Sequence, residues 1–306
     1  MKRKNTSWGH VAHWYNALLN EEGTYQKEVI LPNLLRLMDL KPHEIVLDLA
    51  CGQGFFTREF AKFAAKAIGV DISPELIAIA RELSGQGQSP SHGSSSHPSK
   101  DAQRESRPRS SPGGGDRARP VRPKEEAFTR GQIEYVVSSA DNLDFLPAES
   151  VDKAALVLAL GNIENVRGVF IELKRVLRPS GAVYIVLNHP AFRIPRASSW
   201  GWDEKARVLY RRLDRYMSES TCKIQMHPGA QPDVYTITFH RPLQWYFKHL
   251  TNSGFCVTRL EEWISNRKSQ PGPRAEAENT ARKEFPLFLF IEARPFPSQR
   301  CAVAKA

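Results

Sequence analysis

Long apolar runs are missing from this chain of 306 residues. No stretch approaches the roughly 20 apolar residues that a membrane-spanning helix needs, which argues against an integral membrane protein. Cysteine is scarce: Cys51, Cys222, Cys256 and Cys301 lie far apart, with no CxxC pair and no histidine at metal-ligand spacing. That pattern argues against a disulfide framework and a zinc site, so no metal is expected, and a reducing compartment, the cytoplasm, is the expected address. The start, MKRKNTSWGHVAHWY, is basic but lacks the apolar core of a signal peptide. Two phosphate-binding signatures are also absent around the turn VLDLACGQG at residues 46–54. A P-loop needs Lys and Ser/Thr after its last glycine, whereas Phe55 and Phe56 follow Gly54. A dinucleotide fingerprint needs a third glycine, and Thr57 stands there. Asp71 falls roughly where a ribose-binding carboxylate would, which leaves a nicotinamide cofactor as the weaker alternative.

What is present is the balance of a globular protein, with 41% apolar and 25% charged residues. A net charge of +10 raises nucleic acid as a partner, but the charge is unevenly spread. Residues 84–130 are dominated by Ser, Gly, Pro and Arg and hold nine Lys/Arg against five Asp/Glu. With almost nothing apolar to bury, this stretch cannot offset its ordering entropy and is expected to be a disordered insertion. The remaining chain is mildly basic, so little in it points to nucleic acid.

Outside the insertion, strand and helix patterns alternate. KPHEIVLDLA reads as a buried strand, and Phe56, Phe60, Phe63, Ala64 and Ala67 recur at helical spacing. AAKAIGVDI is a second strand ending in Asp71; Ser73-Pro74-Glu75 then signals a helix start. QIEYVVSSAD and VDKAALVLALGN give strands three and four, IENVRGVFIELKRVL a helix stopped by Pro179, and GAVYIVLNHP strand five. VYTITFH, RPLQWYFKHLTNSG, FCVTRLEEW and FPLFLFIEARP follow as strand, helix, strand, strand, the last two suited to an antiparallel edge. Near-continuous apolar strands alternating with helices imply a parallel sheet covered on both faces, with ligands beyond the strands' carboxyl ends. Residues 190–232 are too long for a plain connection and read as a lid.

DLACGQG, GVDIS, SSADNLDF and ALGNIENV, in this order, resemble the class I S-adenosylmethionine-dependent methyltransferases over about residues 40–80 and 130–190. The tail, from FHRPLQWYFKHLTNSGFCVTRLEE to FPLFLFIEARP, looks like the end of small-molecule, ubiquinone/menaquinone-type members. The expected fold is a doubly wound, mostly parallel, seven-stranded Rossmann-like sheet with an antiparallel edge strand and a lid inserted after strand five. A helical cap over residues 1–40 would precede a methyltransferase domain over 41–306. The resemblance implies S-adenosylmethionine as cofactor and places residues around it. Asp48 would sit near the methionine ammonium, and Ala50, Gly52 and Gly54 would let the backbone pass close to the methionine moiety. Asp71 would accept both ribose hydroxyls, with Ile72 against adenine. Asp141, flanked by Ala140 and Asn142, would meet the adenine amino group, and Leu160 would lie where strand four opens onto the cofactor. Tyr15 is a further candidate contact. Cys51 reads as a small turn residue rather than a nucleophile.

For the acceptor, a general base is needed only if the attacking atom must lose a proton. His189 and His240 fall where such a base could act, although the element His240-Arg241-Pro242-Leu243 has a structural role as its alternative. Arg193, Arg196, Trp200, Tyr210 and Arg241 mix cations and aromatics suited to an acidic or planar acceptor, against the alternative of a solvated helix with Asp203, Glu204 and Asp214 as ion-pair partners. A small-molecule methyltransferase is the reading that results. The rivals are an RNA or protein methyltransferase, though Gly161-Asn162-Ile163 lacks the Asn-Pro-Pro-aromatic pattern, and a non-catalytic cofactor-binding scaffold working through the insertion. Acceptor identity and oligomeric state are not readable from the sequence.

Overall fold

Strand β1 (Ile45–Leu49, IVLDL) alternates its side chains between two apolar layers, and this decides how the rest packs. Leu47 and Leu49 face one layer, Val46 the other. The computed structural model describes residues 8, 12, 16–17, 21–86, 131–227 and 231–296. Tyr15 and residues 87–130 of the expected insertion lie outside them.

A π-helical turn (Gln26–Ile30) runs into α1 (Leu31–Met38), which ends at Asp39 in a left-handed conformation. After β1 come α2 (Phe55–Phe60), β2 (Lys66–Asp71), α3 (Pro74–Leu83), β3 (Gln132–Val137) and β4 (Val151–Val157). A 3₁₀ turn at Leu160–Asn162 leads to α4 (Val166–Val176) and β5 (Leu177–Asn188). The start of α3 is as the sequence indicates: Pro74 opens it and the Ser73 hydroxyl accepts from the Leu76 amide at 3.2 Å. Helix α4 stops at Val176, and Leu177 is already extended, as suits a chain approaching Pro179. Residues 84–86 lie against β3, with Ser84 Oγ 3.0 Å from the Tyr135 hydroxyl and Gln86 Nε2 donating to the Ile133 carbonyl at 2.7 Å.

Two hairpins follow β5: β6 (Ser198–Asp203) with β7 (Val208–Leu213), and β8 (Ser220–His227) with β9 (Gln231–His240). Helix α5 (Leu243–Asn252), β10 (Phe255–Trp263), α6 (Ala275–Glu284) and β11 (Phe288–Pro295) complete the described chain.

The main sheet has seven strands in the order β10-β11-β5-β4-β1-β2-β3. Strands β3, β2, β1, β4 and β5 pair in parallel, and β11 pairs antiparallel with both β5 and β10. The antiparallel pairing of the last two strands at one edge is therefore as expected. One layer packs α4 and α5 on the sheet through Phe170, Leu173, Tyr246 and Leu250. The other packs α1 and α2 through Leu34, Met38 and Phe60 against Val46, Tyr184 and Phe290. Side chains as large as Phe60 and Phe170 are fully buried, each contributing roughly 1.5–3 kcal/mol.

Two expectations change. The stretch for which a solvated helix was the alternative to an acceptor-facing lid is a β-hairpin, because SSWGWD and VLYRRL carry aromatic and β-branched residues that pair across strands, Trp200 opposite Arg211 and Gly201 opposite Tyr210. Two of its acids do form ion pairs, Asp214 with Arg212 and Glu204 with Arg274, whereas Asp203 Oδ1 accepts from the amides of Lys205 and Ala206 in the hairpin turn. VYTITFH lies in β9 and pairs with β8 outside the main sheet, since the place beside β5 belongs to β11.

Candidate active site

Parallel strands present their carboxyl ends on one side, so the order β3-β2-β1-β4 lines up four turns side by side. Asp48 lies near the end of β1, 1% exposed, and accepts a 2.6 Å hydrogen bond from the Thr57 hydroxyl on α2. Burial raises its carboxyl from 3.8 to about 7 despite that bond; the Asp71 charge adds to the rise and Arg58 opposes it. Asp71 ends β2, with Oδ2 accepting from the Gly52 amide and Oδ1 from the Ser73 amide, both at 2.9 Å. Burial raises this carboxyl too, against those backbone bonds.

Between these acids the backbone turns through three left-handed residues: Ala50 at φ 58°, Gly52 at 58° and Gly54 at 75°. For Ala50 that conformation costs about 1–2 kcal/mol, and such strain gathers at binding sites. Gly54 has a second constraint: a Cβ there would lie 2.4 Å from the Tyr135 hydroxyl. The small residue is thus required by a tyrosine of β3 as well as by the turn. Cys51 sits in the turn with its thiol pushed up by burial and by the carboxylates of Asp48 and Asp71, the wrong direction for a nucleophile. Gln53 is 1% exposed; its Oε1 accepts from Arg58, which fixes the amide, and Nε2 is left without a partner.

Ile72, the proposed adenine neighbour, is 55% exposed beyond β2. Asp141 follows β3 and accepts 2.6 Å from Asn165 Nδ2 at the start of α4, next to buried Ala140 and exposed Asn142. Leu160 is fully buried in the turn after β4. The structure thus brings Asp48, Ala50, Gly52, Gly54, Asp71, Ile72, Ala140, Asp141, Asn142 and Leu160 to one edge. These features fit S-adenosylmethionine. A buried carboxyl held near neutrality gains from a cation, a left-handed turn offers close backbone approach, and an orphaned buried amide awaits an acceptor.

Beside this edge, beyond β4 and β5, is a cleft of about 530 Å³ including its open mouth. Its walls include Leu158, Asn162, Asn188, Arg193, His240 and Arg241. The histidines divide. His189 Nδ1 accepts from the amides of Ala191 and Phe192, so Nε2 carries the proton and donates to Glu262 at 2.7 Å. Both nitrogens are engaged in the turn after β5. His240 Nε2 donates to the Tyr216 carbonyl at 2.7 Å, which leaves the lone pair on Nδ1, and this ring lines the cleft.

The arginines divide as well. Buried Arg241 donates to the carbonyls of Leu160, Ile163 and Glu164, stacking near Phe239 and Trp245; it holds the β4 turn in place. Arg196 donates to the Lys223 carbonyl and ties the loop to β8. Trp200 lies under Arg211 and against Phe285, and Tyr210 covers Gly201, so both belong to the hairpin's own packing. Arg193 alone of the five proposed acceptor contacts lines the cleft without a hydrogen-bond or carboxylate partner among the described residues. Sequence reasoning missed Thr57, Tyr135 and Glu262. The signal for Tyr135 was the pair Gly54 and Gly69, both of which make room for its ring.

A family model described as a methyltransferase domain matches residues 23–226. A solved S-adenosylmethionine-dependent methyltransferase from Mesorhizobium loti shares the fold at 24% identity and a TM-score of 0.56, covering 86% of this chain and 96% of that one. The demethylmenaquinone methyltransferase of Tropheryma whipplei is 23% identical over 156 residues, 51% of this chain and 46% of its own length. A 23S rRNA (uracil(1939)-C(5))-methyltransferase of Shewanella sediminis is 39% identical over 67 residues, 22% of this chain and 14% of that protein. The chain thus spans less than half the length of these curated relatives. Among the described residues no group of three or more His, Cys, Asp or Glu is placed to hold a metal, and no helix is long and apolar enough to cross a membrane. With two thirds of its length matched by the family model and the motifs arrayed on the fold as described, the chain belongs to the methyltransferase-domain family.

Proposed function

We propose that this enzyme transfers the methyl group of S-adenosylmethionine, held across the carboxyl ends of β1 to β4, to a small-molecule acceptor in the cleft beyond β4 and β5. The observation that carries this is shared architecture: the segment Leu158–Asn162 borders both the cofactor edge and the cleft. When bound, S-adenosylmethionine supplies an electrophilic methyl carbon, whose bond to sulfur breaks as the acceptor's lone pair bonds to it.

The chain supplies the rest. Asp48 and Asp71 hold the cationic and ribose parts, and the glycine turn admits the methionine portion. Holding two reactants in line contributes about 7–11 kcal/mol to lowering a barrier. Arg241 fixes the turn between the two sites, so that a reacting pair keeps its spacing. If the attacking atom carries a proton, His240 Nδ1 is the group placed to take it.

Size fractionation tests the acceptor class. The protein is incubated with methyl-tritiated S-adenosylmethionine and a cell extract, and label is expected in the small-molecule fraction. Label in nuclease-sensitive or protease-sensitive macromolecules would overturn the small-molecule reading in favour of an RNA or protein substrate.

A further inference from the structure

The cleft is lined by Arg193, Arg241 and His240, and by no aspartate or glutamate among the described residues. Arg241 has its donors committed to three carbonyls of the β4 turn. Arg193 does not. Its guanidinium lies 5.7 Å from the Phe288 ring centroid, and no acid among the described residues pairs with it. Desolvation lowers its pKa most; the Tyr25 hydroxyl opposes this and the Arg211 charge adds to it.

Arg193 is itself exposed, and what the fold fixes is the backbone that presents it. The Arg193 amide donates to the His189 carbonyl at 2.9 Å, and His189 in turn accepts from the amides of Ala191 and Phe192. Glu262 locks that ring from behind. On the far side, Arg211 donates to the Phe192 carbonyl at 2.8 Å and to the Ser198 hydroxyl at 2.7 Å. The segment that presents Arg193 is therefore held at both flanks by side-chain hydrogen bonds.

We propose that the acceptor carries an oxyanion, a carboxylate or a phosphate, and that the Arg193 guanidinium binds it in the cleft. The proposal rests on the cleft being the acceptor site. A planar guanidinium pairs with either oxyanion through two parallel N–H···O bonds, which would orient the acceptor as well as hold it. His189 and Arg211 are positioning residues in this arrangement.

The test uses the full chain loaded with S-adenosylhomocysteine and three aromatic probes: benzoate, phenyl phosphate and neutral benzamide. Saturation-transfer NMR measures each probe against the wild type, Arg193→Gln and Arg193→Lys, while calorimetry in the same samples follows S-adenosylhomocysteine. Wild type is expected to prefer an anion over benzamide by about tenfold or more. The preference should vanish in Arg193→Gln and partly return in Arg193→Lys. Whichever anion binds more tightly assigns the oxyanion. Equal binding of benzoate, phenyl phosphate and benzamide to the wild type, or an anion preference that survives in Arg193→Gln, would overturn the proposal. Wild-type protein that fails to bind S-adenosylhomocysteine would instead overturn the cofactor reading, and the probe comparison would still be read on the unloaded chain.

Discussion

On one side of the β4 turn stand acids, Asp48, Asp71 and Asp141, gathered from three strand ends. On the other stand cations, Arg193, Arg211 and Arg241, gathered from the β5 exit and the hairpins. The acids are held by backbone amides, a hydroxyl and a side-chain amide; the cations by carbonyls, a hydroxyl and aromatic rings. Neither set neutralises the other, since they are kept apart by the segment 158–162. Such a separation is expensive for the buried members Asp48, Asp71 and Arg241, because none of them forms a salt bridge among the described residues. It becomes sensible when two ligands of opposite local charge must meet at one wall.

Asp48 gives the largest lever on this contrast. A rise from 3.8 to about 7 corresponds to roughly 4 kcal/mol of stability that depends on pH. The folded chain keeps a proton that the unfolded chain has already lost, so stability is full below about pH 4. It falls as pH rises toward 7 and then levels. Asp48→Asn removes this penalty. The variant's gain in melting temperature over the wild type should be larger at pH 8 than at pH 5; a gain independent of pH would show that Asp48 is not the strained group. The same substitution should weaken S-adenosylmethionine binding, since a bound cation favours the ionised carboxyl.

Arg241 comes next, on the cationic side. Replacing it with Met leaves the carbonyls of Leu160, Ile163 and Glu164 without their donor, at a cost of about 3 kcal/mol in unfolding free energy. Urea titration measures it. A neutral effect would mean that water replaces the guanidinium at once, and that Arg241, like Arg193, is free to serve a ligand.

The two sides also differ in how far the sequence reveals them. The cofactor edge is written locally: an apolar strand, an acid and a turn of small residues occupy nine consecutive positions, 46–54, and strand order then aligns the neighbours. The five parallel strands and the antiparallel final pair follow from the same periodicities. The cleft is not written locally. Arg193 lies far ahead of the neighbours His240 and Arg241 in the chain, and the three meet only in the folded cleft. The charge pattern of residues 198–214 was compatible with a helix, and cross-strand packing of Trp200 on Arg211 decided otherwise. Helix α6 carries little apolar surface, only Ala281 being buried, so its periodicity gave no signal. The rival roles of His189 and His240 depended on which nitrogens the turns engage, a matter of geometry rather than of residue type.

The division of labour between the two sides is tested most directly by calorimetric titration of S-adenosylhomocysteine into three proteins: wild type, Asp71→Ala and Arg193→Gln. Asp71 would lose charge-assisted bonds to the ribose, so its variant should bind about 100-fold more weakly, whereas Arg193→Gln should bind as the wild type does. Equal affinity in Asp71→Ala and wild type, or a loss of comparable size in Arg193→Gln, would contradict the account.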